Sequence, residues 1–159
     1  MPSKPLWSLP VREPVAGLLY AREANRLGFH AAERLAWLDH RGQTKEQVRF
    51  DSPILLAATS ETGSACVAVT ADQKVRFLSP DLRPQRERAL TEKPLSVAVD
   101  PLGLFCAVAD ARSNLAIYDA GGKTVEQVKT PRPVVRLAFL PGRGCLICVG
   151  DLGWVGAYD

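Results

Sequence analysis

Four similar stretches recur along this 159-residue chain at a constant interval, and this period limits the possible folds more than any other feature. Each stretch is a short, mostly apolar run that closes on a small polar or acidic residue. The closing residues are Asp39, Ser79, Asp119 and Asp159, which are evenly spaced along the chain. A fixed period of about 40 residues is typical of a chain built from repeated supersecondary units.

Two further markers keep the same period. A proline stands directly before an apolar residue at Pro14, Pro53, Pro94 and Pro133, and each step between them equals the period to within one position. The tripeptide Glu46-Gln47-Val48 returns as Glu126-Gln127-Val128, two periods later. Three markers with one period predict four structural repeats rather than chance similarity.

The third repeat divides into four short segments with the pattern of strands. They span residues 95–100, 104–109, 114–118 and 124–129, with turn residues such as Pro101 and Gly121 between them. Apolar residues alternate with smaller or more polar ones, as in half-buried strands. Four strands joined by short turns form one antiparallel blade. The sequence therefore predicts an all-β fold, a β-propeller of four-stranded antiparallel blades with four repeats per chain.

The four strands of a repeat differ in composition. The first is the most apolar and is expected to lie innermost. The last is the most charged, as in residues 44–50 and 85–91, and is expected at the solvated outer edge, where charge blocks edge-to-edge pairing.

Residues 18–38 fit this scheme least well. They are rich in Ala, Leu, Arg and Glu, which taken alone favour a helix. Alignment with the other repeats places Phe29 with Val69 and Trp37 with Phe77, and Gly28 interrupts the helical pattern. The alignment favours strands over a helix in this segment.

The third repeat resembles a WD-repeat blade. Its run Ser96-Val-Ala-Val-Asp-Pro-x-Gly is similar to the first strand and turn of that family, and Tyr118-Asp119 and Tyr158-Asp159 stand where the family has its Trp-Asp pair. The chain departs from the family pattern because no Gly-His pair opens a repeat and Ser79 replaces a terminal aspartate. The resemblance implies a WD-like, non-catalytic scaffold that binds protein partners.

The two ends of the chain complement each other in this scheme. The last repeat stops after its third strand, and residues 1–13 precede the first Pro-Val marker as an outer strand should. The expected single domain, residues 1–159, therefore has blade units 14–52, 53–93, 94–132 and 133–159, the last completed by 1–13. Three arrangements remain open: an eight-bladed ring formed by a homodimer, a closed four-bladed monomer, and a fragment of a longer propeller with only a structural role.

Composition excludes several classes of function. The net charge is +3, from 20 basic and 17 acidic side chains, without the clustered basic face that nucleic-acid binders carry. No run of apolar residues is long enough to span a membrane. The N-terminus lacks the apolar core of a secretory signal, so the four cysteines are expected to be reduced thiols of a cytoplasmic protein.

No catalytic residue, cofactor-binding site or metal site is predicted. Cys145 and Cys148 lie three apart and point to opposite faces of a strand, while His30 and His40 accompany no nucleophile. The alternative function is a propeller enzyme, or a metal or small-molecule binder, acting at the channel mouth. The turn carboxylates it would use do not recur at one blade position: Asp72, Asp100, Asp110 and Asp151. Trp154 and Trp7 are the candidate interaction residues, because Trp154 aligns with polar positions of the other repeats.

Overall fold

The computed structural model describes residues 4–142 and 144–159. Its regular structure consists of fifteen strands and one short 3-10 turn, Asp151–Gly153. Each sheet is formed by strands that are consecutive in the chain and pair antiparallel. The predicted all-β class is confirmed.

The strands fall into four sheets, here called blades 1 to 4 in chain order. Blade 1 contains β1 (Val15–Ala21), β2 (Arg26–Ala31), β3 (Arg34–Leu38) and β4 (Thr44–Arg49). Blade 2 contains β5 (Ile54–Thr59), β6 (Cys66–Thr70), β7 (Lys74–Leu78) and β8 (Pro84–Ala89). Blade 3 contains β9 (Pro94–Val99), β10 (Phe105–Asp110), β11 (Asn114–Asp119) and β12 (Thr124–Lys129). Blade 4 contains β13 (Val134–Phe139), β14 (Leu146–Gly150) and β15 (Val155–Tyr158).

Residues 18–38 form strands, as the alignment of the repeats predicted. Gly28 lies opposite Trp37 in the β2–β3 pair, and a Cβ at Gly28 would lie 2.6 Å from the Trp37 ring. The indole covers this glycine and is 1% exposed, so tertiary packing outweighs the helical propensity of the segment.

The blades stack in chain order through three apolar cores. The first strands contact one another in the sequence β1–β5, β5–β9 and β9–β13, so they line the inner side of the array. Between blades 1 and 2 the core includes Leu35, Trp37 and Leu82. The next two cores pair Val69 with Val108 and Leu115 with Cys148. Blades 2 and 3 therefore bury one face against their predecessor and the other against their successor, whereas blades 1 and 4 each pack against one neighbour.

The outer strands β4, β8 and β12 are largely exposed, as the charge pattern predicted. Residues 4–13 contain no strand, and the sheet of blade 4 has three strands. Ion pairs on this side include Arg49 with Glu13, at 3.4 Å, which connects the N-terminal segment to β4.

The predicted alignment of Phe29 with Val69 is wrong by one residue. Ala36 of β3 and Arg76 of β7 occupy the same position in their blades. Ala36 pairs with Phe29, and Arg76 pairs with Ala68, so Phe29 corresponds to Ala68 and not to Val69. Two residues join β2 to β3, but three join β6 to β7, and this difference shifts the register. Since a shift of one residue reverses the face of a strand, Phe29 faces away from blade 2, while Val69 faces blade 3.

Candidate interaction surfaces

The turn carboxylates hold their own turns closed. Asp39 accepts hydrogen bonds from the backbone N–H groups of Arg41 and Gln43, at 2.8 and 2.9 Å. The bond from Gln43 is the main reason that the pKa of Asp39 lies below its usual value. Asp119 accepts the equivalent bond from Lys123 at 2.8 Å. Asp39 and Asp119, which end two of the repeats, thus have a local structural role that is common for Asx turns.

Two of the four carboxylates named as possible enzyme ligands are engaged in the same way. Asp100 accepts from the N–H groups of Leu102 and Phe105, and Asp110 accepts from those of Arg112 and Asn114. Asp72 instead accepts from the Thr70 hydroxyl and the Arg76 guanidinium, and one oxygen of Asp151 is buried without a hydrogen-bond partner among the described residues. Within residues 4–142 and 144–159, no three His, Cys, Asp or Glu side chains come together as a metal site would require.

The buried ionisable groups lie in apolar surroundings. His30 is buried against Gly17, and burial lowers the pKa of its imidazole, which keeps it neutral. Burial also raises the pKa of the Cys66 thiol to about 12. Such a thiol stays protonated at neutral pH and is a poor nucleophile.

The face of blade 1 that points away from blade 2 is only partly covered. Phe29 and Ala31 are buried there by Leu9 and Val11 of the N-terminal segment. On the inner strand β1, Leu18 and Tyr20 lie on the same face, and they are 73% and 58% exposed. We call this face the leading flank.

The face of blade 4 that points away from blade 3 is also open, and we call it the trailing flank. Leu146 and Cys148 pack against blade 3, so their neighbours on β14 point to the other side of the sheet. Directly paired residues share a face in an antiparallel sheet. The pairings therefore assign six residues to the trailing flank: Arg136, Ala138, Ile147, Val149, Val155 and Ala157. Val155 is 65% exposed.

The two candidate tryptophans have different surroundings. Trp7 lies over Gly42, where a Cβ would overlap the indole, and the ring is partly exposed. Trp154 is half-buried and packs on Gly150 and Gly156 at the edge of the core between blades 3 and 4. The polar residues aligned with Trp154 predict an exposed position, but two glycines on its own blade make room for the ring.

Comparison with known proteins identifies the fold. No family model matches the chain, and no curated protein matches it. Among solved structures, the beta-propeller domain of Cps50 (Swd1) from Myceliophteria thermophila matches with a TM-score of 0.74 and 18% sequence identity. The match covers 89% of this chain and 52% of that chain.

The chain therefore has the β-propeller fold, and the predicted likeness to WD-type propellers is confirmed at the level of the fold. It spans about half the length of the propeller domain that it matches. In the part of the chain that the structure describes, no helix has the length and hydropathy needed to cross a membrane.

Proposed function

We propose that this chain is a non-catalytic protein-interaction module whose propeller ring is completed by a second copy of itself. The observation that carries the proposal is the pair of open flanks at the two ends of one blade array. In the ring, the trailing flank of one chain packs on the leading flank of the other, as blade 2 packs on blade 3. Two copies then form an eight-bladed ring with two-fold symmetry.

The N-terminal segment supports this arrangement. Val48 and Phe50, from the outer part of blade 1, pack into the core shared with blade 2. Leu9 and Val11 stand one repeat earlier in the sequence, and they pack on blade 1 in the same way. The segment thus occupies the place that the outer strand of a preceding blade would take. We propose that residues 1–13 pair with β15 of the second copy and complete its unit 133–159, alongside units 14–52, 53–93 and 94–132.

The coverage of the fold match also favours a double array. Four blades superpose on about half of a propeller domain, so a second set of four is needed to reach a comparable length. A second copy supplies matching surfaces: its trailing flank would meet the leading flank of the first chain, and its leading flank would meet the trailing flank of the first chain.

We assign different roles to the two tryptophans. Trp7 lies within the proposed closing strand and would contribute directly to the seam between chains. Trp154 precedes β15 and would hold that strand in position for pairing. Other protein partners would bind the turns at the two ends of the ring, since loops on a rigid scaffold commonly carry recognition. All four cysteines are free thiols, which suits the reducing cytoplasm that we propose as its location.

The experiment compares two lysine variants by light scattering after size exclusion. Val155→Lys places a charge on the trailing flank, and Val125→Lys places one on the outer strand β12, where valine is 56% exposed. The unmodified chain and Val125→Lys are expected at twice the 17.3 kDa chain mass, and Val155→Lys at the monomer mass. A folded, unmodified chain that stays at 17.3 kDa at all concentrations would refute self-association.

A further inference from the structure

A cleft of about 400 Å³ lies between the outer edge of blade 2 and the face of blade 3 that points toward blade 2. Leu90, Val108, Ala116 and Tyr118 provide its apolar walls. Its polar rim is formed by Thr91, Asp110, Asn114, Gln127 and Lys129. The cleft is remote from the two open flanks, because it lies between the two central blades.

In blade 2 the corresponding place is filled by an arginine of the chain itself. Ala116 pairs with Val108 and Gln127, and Arg76 pairs with Ala68 and Glu87 at the same positions of its blade. The Arg76 guanidinium stacks on Phe50 with its central carbon 5.1 Å from the ring centroid.

Arg76 also has three polar partners. It donates to the Thr70 hydroxyl at 3.2 Å, to Asp72 at 2.9 Å and to Glu87 at 2.8 Å. Planar stacking combined with carboxylate partners suits a guanidinium better than an ammonium group.

Blades 1 and 4 also place a planar side chain at this site. In blade 1 the Arg34 guanidinium stacks on Phe29 at 4.9 Å. In blade 4 the Trp154 indole lies over Gly150 and Gly156, which correspond to Asp110 and Ala116. Three blades thus fill the site from their own chain, and two of them do so with a guanidinium.

The other blades fill this site from two positions, that of Arg34 and Trp154 and that of Arg76. Blade 3 has short side chains at both. Asn114 stands where the others have Arg34 and Trp154, and Ala116 stands where blade 2 has Arg76. Hydrogen-bond acceptors are kept, because the Asp110 carboxylate replaces the Thr70 hydroxyl and the Gln127 amide replaces the Glu87 carboxylate. The second oxygen of Asp110 accepts one bond, from the Asn114 side-chain amide at 2.7 Å, and a carboxylate oxygen can accept a further one.

The positively charged side chains near the cleft have partners within this chain. The Lys129 ammonium donates to the Arg112 carbonyl oxygen and, at 3.2 Å, to the Asn114 side-chain oxygen. The Arg112 guanidinium is paired with Glu92 at 2.9 Å. The Asp110 carboxylate beside an apolar slot, with the Lys129 ammonium held by neutral oxygens and the Arg112 guanidinium paired with Glu92, is complementary to an incoming cation with a flat head and an apolar stem.

We propose that this cleft binds an arginine side chain of a partner protein. The aliphatic stem lies against Leu90 and Ala116, and the guanidinium donates to Asp110 and to the Gln127 carbonyl. The partner completes in blade 3 the contact that Arg76 makes within blade 2.

The test uses the full chain and three capped tripeptides, Gly-Arg-Gly, Gly-citrulline-Gly and Gly-Lys-Gly, in an NMR titration. Citrulline keeps the planar head but lacks the charge, and lysine keeps the charge without the planar head. The arginine peptide is expected to shift the Ala116 methyl and Tyr118 ring signals in a saturable way. Binding by the other two peptides is expected to be at least about tenfold weaker, since each lacks one element of the charge-assisted contact.

Variants of the chain make the site assignment specific. Ala116→Arg fills the cleft as Arg76 does in blade 2 and is expected to abolish the saturable shift of the Tyr118 ring signals, whereas Ala116→Ser keeps that shift. If Ala116→Arg does not fold, Asn114→Arg, which copies Arg34, serves the same purpose. A fourth peptide, Gly-Trp-Gly, tests whether the cleft takes an indole as blade 4 does. Equal shifts with the first three peptides, binding retained by the filled variant, or preference for Gly-Trp-Gly would overturn the proposal. These readouts do not depend on whether the ring is dimeric.

Discussion

Replacing Trp37 by alanine tests whether packing between blades holds the array together. The side chain is 1% exposed and contributes to the core shared by blades 1 and 2. Removing a buried Trp costs about 3–5 kcal/mol, and losing the Arg26 guanidinium stacked 5.1 Å from its ring costs about 1 kcal/mol more. A domain of this size has a total stability of about 5–15 kcal/mol, so the loss is a large fraction of it.

Trp37→Phe is the matched control. The next repeat has Phe77 at this position, so a phenyl ring fits the site. The smaller ring costs about 1–2 kcal/mol, but it also removes an indole N–H that has no hydrogen-bond partner among the described residues, which offsets about 1 kcal/mol. Urea unfolding followed by circular dichroism measures both variants. A loss of less than about 1 kcal/mol in Trp37→Ala, or equal stability of the two variants, would show that packing between blades does not hold the array together.

Two further predictions follow from ionisable groups in the blades. Burial raises the pKa values of Cys66 and Cys106, so at pH 8 iodoacetamide is expected to label the half-buried Cys145 at least about tenfold faster, as measured by mass spectrometry; equal rates would contradict this. The hydrogen bond from Thr70 and the charge of Arg76 lower the pKa of Asp72, so its ionised form stabilises the fold above its unfolded pKa of about 3.9. Asp72→Asn is therefore expected to be less stable than the unmodified chain at pH 7, with a difference that shrinks as pH falls below about 4; a constant difference in urea unfolding from pH 7 to pH 3 would disprove the assignment.

The sequence predicts the repeat well because the period is carried by many residues. The strand and turn positions follow from alternating apolar residues and from turn residues such as Gly121. The register of β2 is less predictable, since it depends on whether two or three residues form one turn. A wrong register exchanges the faces of a strand, and this is why the alignment of the repeats matches Phe29 with a residue that points the other way.

The surfaces are less predictable than the strands. The polar residues that align with Trp154 in the other repeats predict that it is exposed. In the structure, Gly150 and Gly156 have no side chains, and this leaves room for the indole to pack against the sheet of its own blade. The sequence predicts the cleft of blade 3 only if it is known that Arg76 fills the equivalent site of blade 2 and that Ala116 occupies the same position in blade 3. Composition does not show which side chain fills the space beside an adjacent blade, because that depends on the pairing across two strands.

Hydrogen exchange at the backbone amides of β15 tests most directly whether a second copy closes the ring with its N-terminal segment. Within the described residues of one chain, β15 pairs on one side only, with β14. If the N-terminal segment closes the ring, the outward amides of β15 exchange slowly at concentrations where the chain is dimeric, and quickly in the Val155→Lys variant. Fast exchange of these amides in a sample whose mass is that of the dimer would contradict closure by the N-terminal segment.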